Sequence, residues 1–251
     1  MQTDDDLFVG PVAVNFQAKA LGSGANVIGA SPMARGIGPV SRALVVDYVP
    51  TTLSANAICL AQIITGASNA IIAGALAVAG VATIPEPFGR SLQFVSTNAG
   101  DTTQTVTVTG TDFLGNPMTA RITLNGTTVI QGTKAFKTIT QVAVSATTVG
   151  NLTVGTGDKM GLPVAVPSAN LFGRLAWADV LAQDAGTFVA ADATAPTNLT
   201  GDTRGTYLPS SASNNARRLT MEILLLDQHV GPAAVPYSTA SRTGCFGQTP
   251  A

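Results

Sequence analysis

A chain of 251 residues with 45% hydrophobic side chains is long enough to bury a sizeable core without disulfide or metal staples. Only 11% of its residues are charged, against about 25% in ordinary soluble domains, so much of the surface is expected to meet protein instead of water. A monomer whose surface polarity comes from hydroxyls and amides is the other reading of that composition. The net charge is −1, the 13 cations are scattered, and the densest basic feature is the pair Arg217-Arg218. Phosphate-backbone binding needs concentrated cations, so nucleic acid is not expected as a partner.

Residues 1–50 read as an extended arm punctuated by Gly10-Pro11, Gly22-Ser23-Gly24, Ser31-Pro32 and Gly36-Ile37-Gly38-Pro39. Its acidic start, Asp4-Asp5-Asp6, is not followed by an apolar run of the secretory kind. Leu7, Phe8, Val9, Val12, Val14 and Phe16 alternate with small residues as in a short strand. Such a strand can add to a neighbouring chain or pair within its own sheet; on the first reading these six residues are protein contacts.

Residues 51–166 carry the pattern of a β-sandwich or barrel. Ala57–Thr65 reads as a strand, Gly66-Ala67-Ser68-Asn69 as a turn and Ala70–Leu76 as its return, although the alanines leave a helix open. No charged residue occurs between Leu53 and Pro85. Polar residues interrupt the stretch, and its best apolar run, Ala70 to Ala82, is too short for a spanning helix, so no membrane partner is expected. Ser91–Thr97 and Gln104–Gly110 alternate across a turn at Asn98-Ala99-Gly100-Asp101, with Thr on one face of the second strand and Val on the other. Met118–Leu124 follows, closed by the hairpin dipeptide Asn125-Gly126, and Lys134–Ala146 and Asn151–Val154 complete the set.

Residues 167–251 look loop-rich. Leu171–Gln183 fits a short helix or a strand, Ala190–Ser213 a loop, and residues 219–227 a final strand. The fold class expected is therefore mainly β: an antiparallel β-sandwich or barrel with an extended N-terminal arm and a loop-rich C-terminal part.

Chemistry-bearing patterns are weak. The one histidine, His229, lies near Asp227 without a nucleophile elbow, and reads as a surface residue. Three consecutive aspartates do not have the spacing of a calcium loop, and Gly22–Gly29 lacks the Gly-Lys-Ser/Thr ending of a phosphate loop. Cys59 and Cys245 match no metal-ligand spacing, and nothing specifies whether they pair. The Asn-X-Thr triplets at Asn125, Asn151 and Asn198 are expected by chance in a Thr-rich chain. No enzyme, catalytic residue, cofactor or metal is expected.

Several turn-and-strand motifs carry a resemblance. These are Gly80-Val81-Ala82-Thr83-Ile84-Pro85, Gly89-Arg90-Ser91-Leu92, Thr107–Asp112, Lys134–Thr140, Val154–Pro163 and Asp202–Ser210. Over residues 55–227 the chain resembles a family of tailed-bacteriophage virion structural proteins of the capsid decoration, or cement, type. The resemblance implies a subunit bound outside the major capsid protein, commonly as a homotrimer. Its place would be the outer capsid surface of the virion, after synthesis in the host bacterial cytoplasm. The loop bearing Arg204 and Tyr207 is expected to be exposed and to contact partners, since arginine and aromatic groups concentrate interface energy. A tail or fibre component, or a host-surface adhesin, is the alternative; aromatic residues at 5% and a single Trp177 disfavour a carbohydrate groove.

Overall fold

The computed structural model describes residues 42–192 and 201–225. It is mainly β, with antiparallel sheets, one of them curled into a half-barrel. In chain order the strands are β1 (Arg42–Tyr48), β2 (Cys59–Gln62), β3 (Ser68–Asn69), β4 (Ala77–Val78), β5 (Val81–Thr83), β6 (Arg90–Ser96), β7 (Thr105–Thr111) and β8 (Pro117–Thr123). There follow β9 (Ile130–Gln131), β10 (Thr138–Val144), β11 (Leu152–Gly161), β12 (Phe172–Trp177), β13 (Thr187–Val189), β14 (Thr206–Leu208) and β15 (Leu219–Leu225). They form three sheets: β4-β5-β10-β7-β8 with β3 beside β10, β13-β14-β11-β6-β9 with β2 beside β11, and β1-β15-β12.

The alternation read from the sequence sets the first of these sheets. Val106, Val108 and Gly110 of β7 face inward while its threonines are half-buried, and β7 pairs with β8 from Thr105↔Thr123 to Thr111↔Pro117. The edge strand β8 begins with Pro117, which has no N–H to offer a further strand. β10 takes a bulge between Ile139 and Gln141, and there a Cβ on Gly110 would lie 1.9 Å from the Thr138 carbonyl oxygen. Only glycine admits that approach.

Two apolar cores result. One gathers residues such as Ile58, Ile84, Leu92, Phe94, Val108, Ile139 and Leu152; the other gathers Met160, Leu162, Phe172, Trp177, Tyr207, Met221 and Ile223. Strand β11 contributes Leu152 and Val154 to the first and Met160 to the second. The cores are thus joined by a continuous piece of backbone.

Several expectations need correcting. The arm does not extend to residue 50, because Arg42–Tyr48 is β1, paired over its whole length with β15. The proposed contact residues Leu7, Phe8, Val9, Val12, Val14 and Phe16 lie outside the described residues, as do Cys245, His229 and Asp227. Among the described residues from 167 onward the final strand stands where it was expected, as β15, and the region is built into the fold: β12 and β15 form the sheet that β1 completes, and β14 pairs with β11. Within Leu171–Gln183 the structure forms strand β12 at Phe172–Trp177 followed by a turn, and β14 falls inside the stretch read as a loop at Ala190–Ser213.

The segment after Thr51 keeps the expected chain reversal but not the expected strands. Ser68 and Asn69, read as a turn, pair with Val144 and Ala143. Ala70–Leu76 is no strand, although it runs beside residues 57–62: the Gly74 and Leu76 amides donate to the Ile58 and Ala57 carbonyls at 2.8 and 2.9 Å. The Gln62 side chain takes the place of a ladder, its Oε1 accepting from Ile71 N at 2.8 Å and its Nε2 donating to Ile71 O at 2.9 Å. Nor does Asn125-Gly126 join two adjacent strands. It makes a local bridge, Asn125↔Thr128, carrying the chain from β8 in one sheet to β9 in another.

Candidate functional site: exposed aliphatic side chains and buried charge clusters

The reversal formed by residues 57–76 spans the gap between two sheets. β2 pairs with β11, while Ala70 N donates to Val142 O and Thr83 N to Leu76 O, at 2.8 and 3.1 Å. Its inward side chains, Ile58, Cys59, Ile64, Ala70 and Ile72, belong to the first core. Its outward ones are also apolar: Leu60, Ile63 and Ile71 are 48%, 59% and 69% exposed, and at the β4–β5 hairpin Val78 and Val81 are 79% and 38% exposed. Val78 and Val81 sit directly opposite one another, on a turn whose two central residues, Ala79 and Gly80, have φ of 50° and 79°. A side chain in that conformation costs about 1–2 kcal/mol, and Ala79 accepts it at an exposed tip.

Large aliphatic groups exposed together on a stretch without charge are the usual mark of a contact surface. A second apolar projection lies elsewhere. Ala178 and Asp179 both adopt positive φ, 58° and 61°, and the turn presents Val180 and Leu181, the latter 85% exposed.

Beneath the surface the charged residues gather inward. Arg90 is fully buried and reaches five partners. Its Nη1 donates to Glu86 Oε1 at 2.9 Å and to Thr51 O at 2.8 Å, its Nη2 to Asp158 Oδ1 at 3.1 Å and to Ser213 Oγ, and its Nε to the Gly157 carbonyl. The sequence Gly155–Met160 makes this possible, because β11 slips register against β6 between Thr156 and Met160. A bulge re-aims the side chains it carries, and here it turns Asp158 and the Gly157 carbonyl onto Arg90. Ser213 closes the group, its hydroxyl donating to Asp158 Oδ1 at 2.8 Å.

A second cluster forms around Arg204. Its Nη1 donates to Asp112 Oδ2 at 2.6 Å, and its guanidinium carbon lies 4.6 Å from the centre of the Phe113 ring, a cation–π contact. Asp112 also organises the β7–β8 turn, accepting from the Leu114 and Asn116 amides at 2.9 and 2.8 Å. Burial alone would push its carboxyl up, but Arg204 and Asn116 outweigh that and hold it below the usual range. Asp202 accepts from Ala135 N and Arg204 N, each at 2.9 Å; there desolvation wins and the carboxyl is raised. The neighbouring Lys134 is buried, and desolvation lowers its ammonium. From Arg204 the contacts run on through rings: Phe113 meets Phe88 edge-on at 5.3 Å, and Phe88 meets Tyr48 at 6.3 Å. Four side chains from distant parts of the sequence thereby tie the three sheets.

The expectation for Arg204 and Tyr207 is overturned by this geometry. Both are 0% exposed, so neither offers its side chain to a partner. Arg204 is drawn inward by Asp112, 92 residues away, and Tyr207 packs in the second core while its hydroxyl donates to Asp184 Oδ2. The exposed aliphatic residues Leu60, Ile63, Ile71, Val78 and Val81 have no place among the contact residues expected from the sequence. Their signal was present in the charge-free stretch between Leu53 and Pro85.

Among the described residues no group of three His, Cys, Asp or Glu side chains could hold a metal ion, and no helix is long and apolar enough to cross a membrane. Cys59 is a free, buried thiol pushed up to about 12 by desolvation. No family model, curated protein or solved structure matches the chain.

Proposed function

We propose that this chain is a non-catalytic structural subunit of a tailed-bacteriophage virion, a capsid decoration protein that packs on the outside of the major capsid shell and stabilises the head. The observation that carries the assembly reading is the set of large aliphatic side chains, Leu60, Ile63, Ile71, Val78 and Val81, left exposed on a stretch of chain without charged residues. The turn-and-strand motifs described above supply the virion context. On this reading the subunit works mechanically: many modest contacts, with its own copies and with several capsid subunits, act together and give avidity that no one contact has.

The buried charge clusters suit that task. Arg90 and Arg204 fix loops from distant parts of the chain, so a load on one sheet passes to the others. A cryo-electron reconstruction of particles carrying the chain tests the proposal. Density in trimers over the capsid shell is the expected result; density confined to the tail, or particles without it, overturns it.

A further inference from the structure

We infer that Lys134 and Asp202 condense to an intramolecular amide, an isopeptide bond between their side chains. Such a bond is a property of the fold and is independent of the assembly role.

The two groups meet in the interior from distant parts of the chain. Lys134 leads into β10 and Asp202 into β14, strands of different sheets, and the residues are 1% and 2% exposed. The Asp202 carboxyl is pinned at both oxygens: Oδ2 accepts from Ala135 N and Oδ1 from Arg204 N, each at 2.9 Å. It is thus fixed against the peptide that joins Lys134 to Ala135, within reach of a flexible four-carbon stem. Each of the two groups acts on the other's charge, and Asp192 acts on Lys134 as well. Asp192 lies beside Asp202, its amide donating to the Asp202 carbonyl at 2.8 Å and its Oδ2 accepting from Gly201 N at 2.9 Å.

Burial turns this neighbourhood toward reaction. Desolvation lowers the Lys134 ammonium and raises the Asp202 carboxyl, so both move toward their uncharged forms. A neutral amine is the nucleophile that amide formation needs, and a neutral carboxyl is its electrophile. The Lys134 nitrogen attacks Cγ of the protonated Asp202, and the Ala135 and Arg204 amides stabilise the charge that develops on the carboxyl oxygens. Asp192 carries a proton from that nitrogen to the departing hydroxyl. One C–N bond forms, one C–O bond breaks and one water leaves; no oxidant or reductant takes part. Groups held together in this way react at a high effective concentration, and a site closed to water protects the product from hydrolysis.

Intact-mass measurement on the full-length, denatured protein tests the inference. The wild-type chain is expected to weigh less than its sequence by one water, and digestion to yield a branched peptide joining the segments that carry Lys134 and Asp202. Lys134→Arg and Asp202→Ala are each expected to keep the full sequence mass. Asp202→Asn is expected to close the same bond with loss of ammonia, and so to reach the same final mass as the wild type. The mass is read on unfolded chains and the wild type carries the main result, so a variant that folds poorly does not obscure it. A wild-type chain at its full sequence mass leaves an ordinary buried ion pair and overturns the inference, as does a water loss that persists in Lys134→Arg.

Discussion

Replacing Arg90 with methionine removes the cation that Glu86 and Asp158 share while keeping a long apolar stem. The side chains of those two acids are only 1% and 6% exposed, so each carboxylate is left in the interior without its partner. Breaking a buried ion pair in this way costs about 3–5 kcal/mol. Because a single cation serves both acids, the two losses do not add, and about 4 kcal/mol is the expected cost. For a chain of this size that corresponds to a fall of roughly 8–16 °C in the unfolding midpoint. The fluorescence of the single tryptophan, Trp177, buried in the second core, follows the transition. Arg218 is the control: half-exposed, it pairs with Asp47 at 2.8 Å and Asp179 at 3.5 Å, and its replacement by methionine should cost less than about 1 kcal/mol. Converting Glu86 to Gln and Asp158 to Asn alongside Arg90→Met should restore part of the loss, since the stranded charges are then gone. Equal and small effects of Arg90→Met and Arg218→Met would refute the claim that the interior charges hold the sheets together.

Three further outcomes are expected. Gly155→Ala sets a Cβ 1.9 Å from the Ser54 carbonyl oxygen and should leave little soluble protein, whereas Gly66→Ala, at φ +68° with open space around it, should cost about 1–2 kcal/mol by urea titration. The Asp101 carboxylate would be raised by burial, but the Ser96 hydroxyl and the Val149 and Gly150 amides outweigh this and hold it low. A group lowered on folding contributes stability above its unfolded value of about 3.9 and loses it as pH falls through the folded one; the urea midpoint should therefore drop on acidification below about pH 4, and drop less in Asp101→Asn. In a Cys245→Ser background, Cys59 should resist a thiol reagent at pH 8 in the native state and react fully in urea, which intact-mass measurement would read out.

The sheets were legible where one face is buried and the other wet. Thr105–Thr111 could be placed because its threonines and valines alternate, and Leu219–Leu225 because its apolar run is bounded by polar turns. Ala70–Leu76 is likewise an apolar run bounded by turn residues, yet its backbone is held by the Gln62 amide and by irregular bonds to Ala57 and Ile58; no local pattern announces a side chain acting as a strand. Arg204 and Tyr207 were misplaced for a different reason. Polar groups default to the surface, and what reverses that default is a partner brought by the fold, Asp112 for one and Asp184 for the other. The same holds for Arg90, whose motif was noticed as a likeness and whose meaning lies in Asp158 and Ser213, 68 and 123 residues onward.

The pairing of β1 with β15 also sets a timetable. Arg42 lies opposite Leu225 and Tyr48 opposite Leu219, so the first described strand waits for the last before its sheet can close. A growing chain can assemble the β7–β8 hairpin early, from neighbours in sequence, but Val46 finds its place in the second core only after Met221 has been made. Long-range pairing of this kind slows folding. On the proposed assembly role the delay is useful: subunits become competent to pack only once synthesis has passed residue 225, and half-made chains stay out of the assembly.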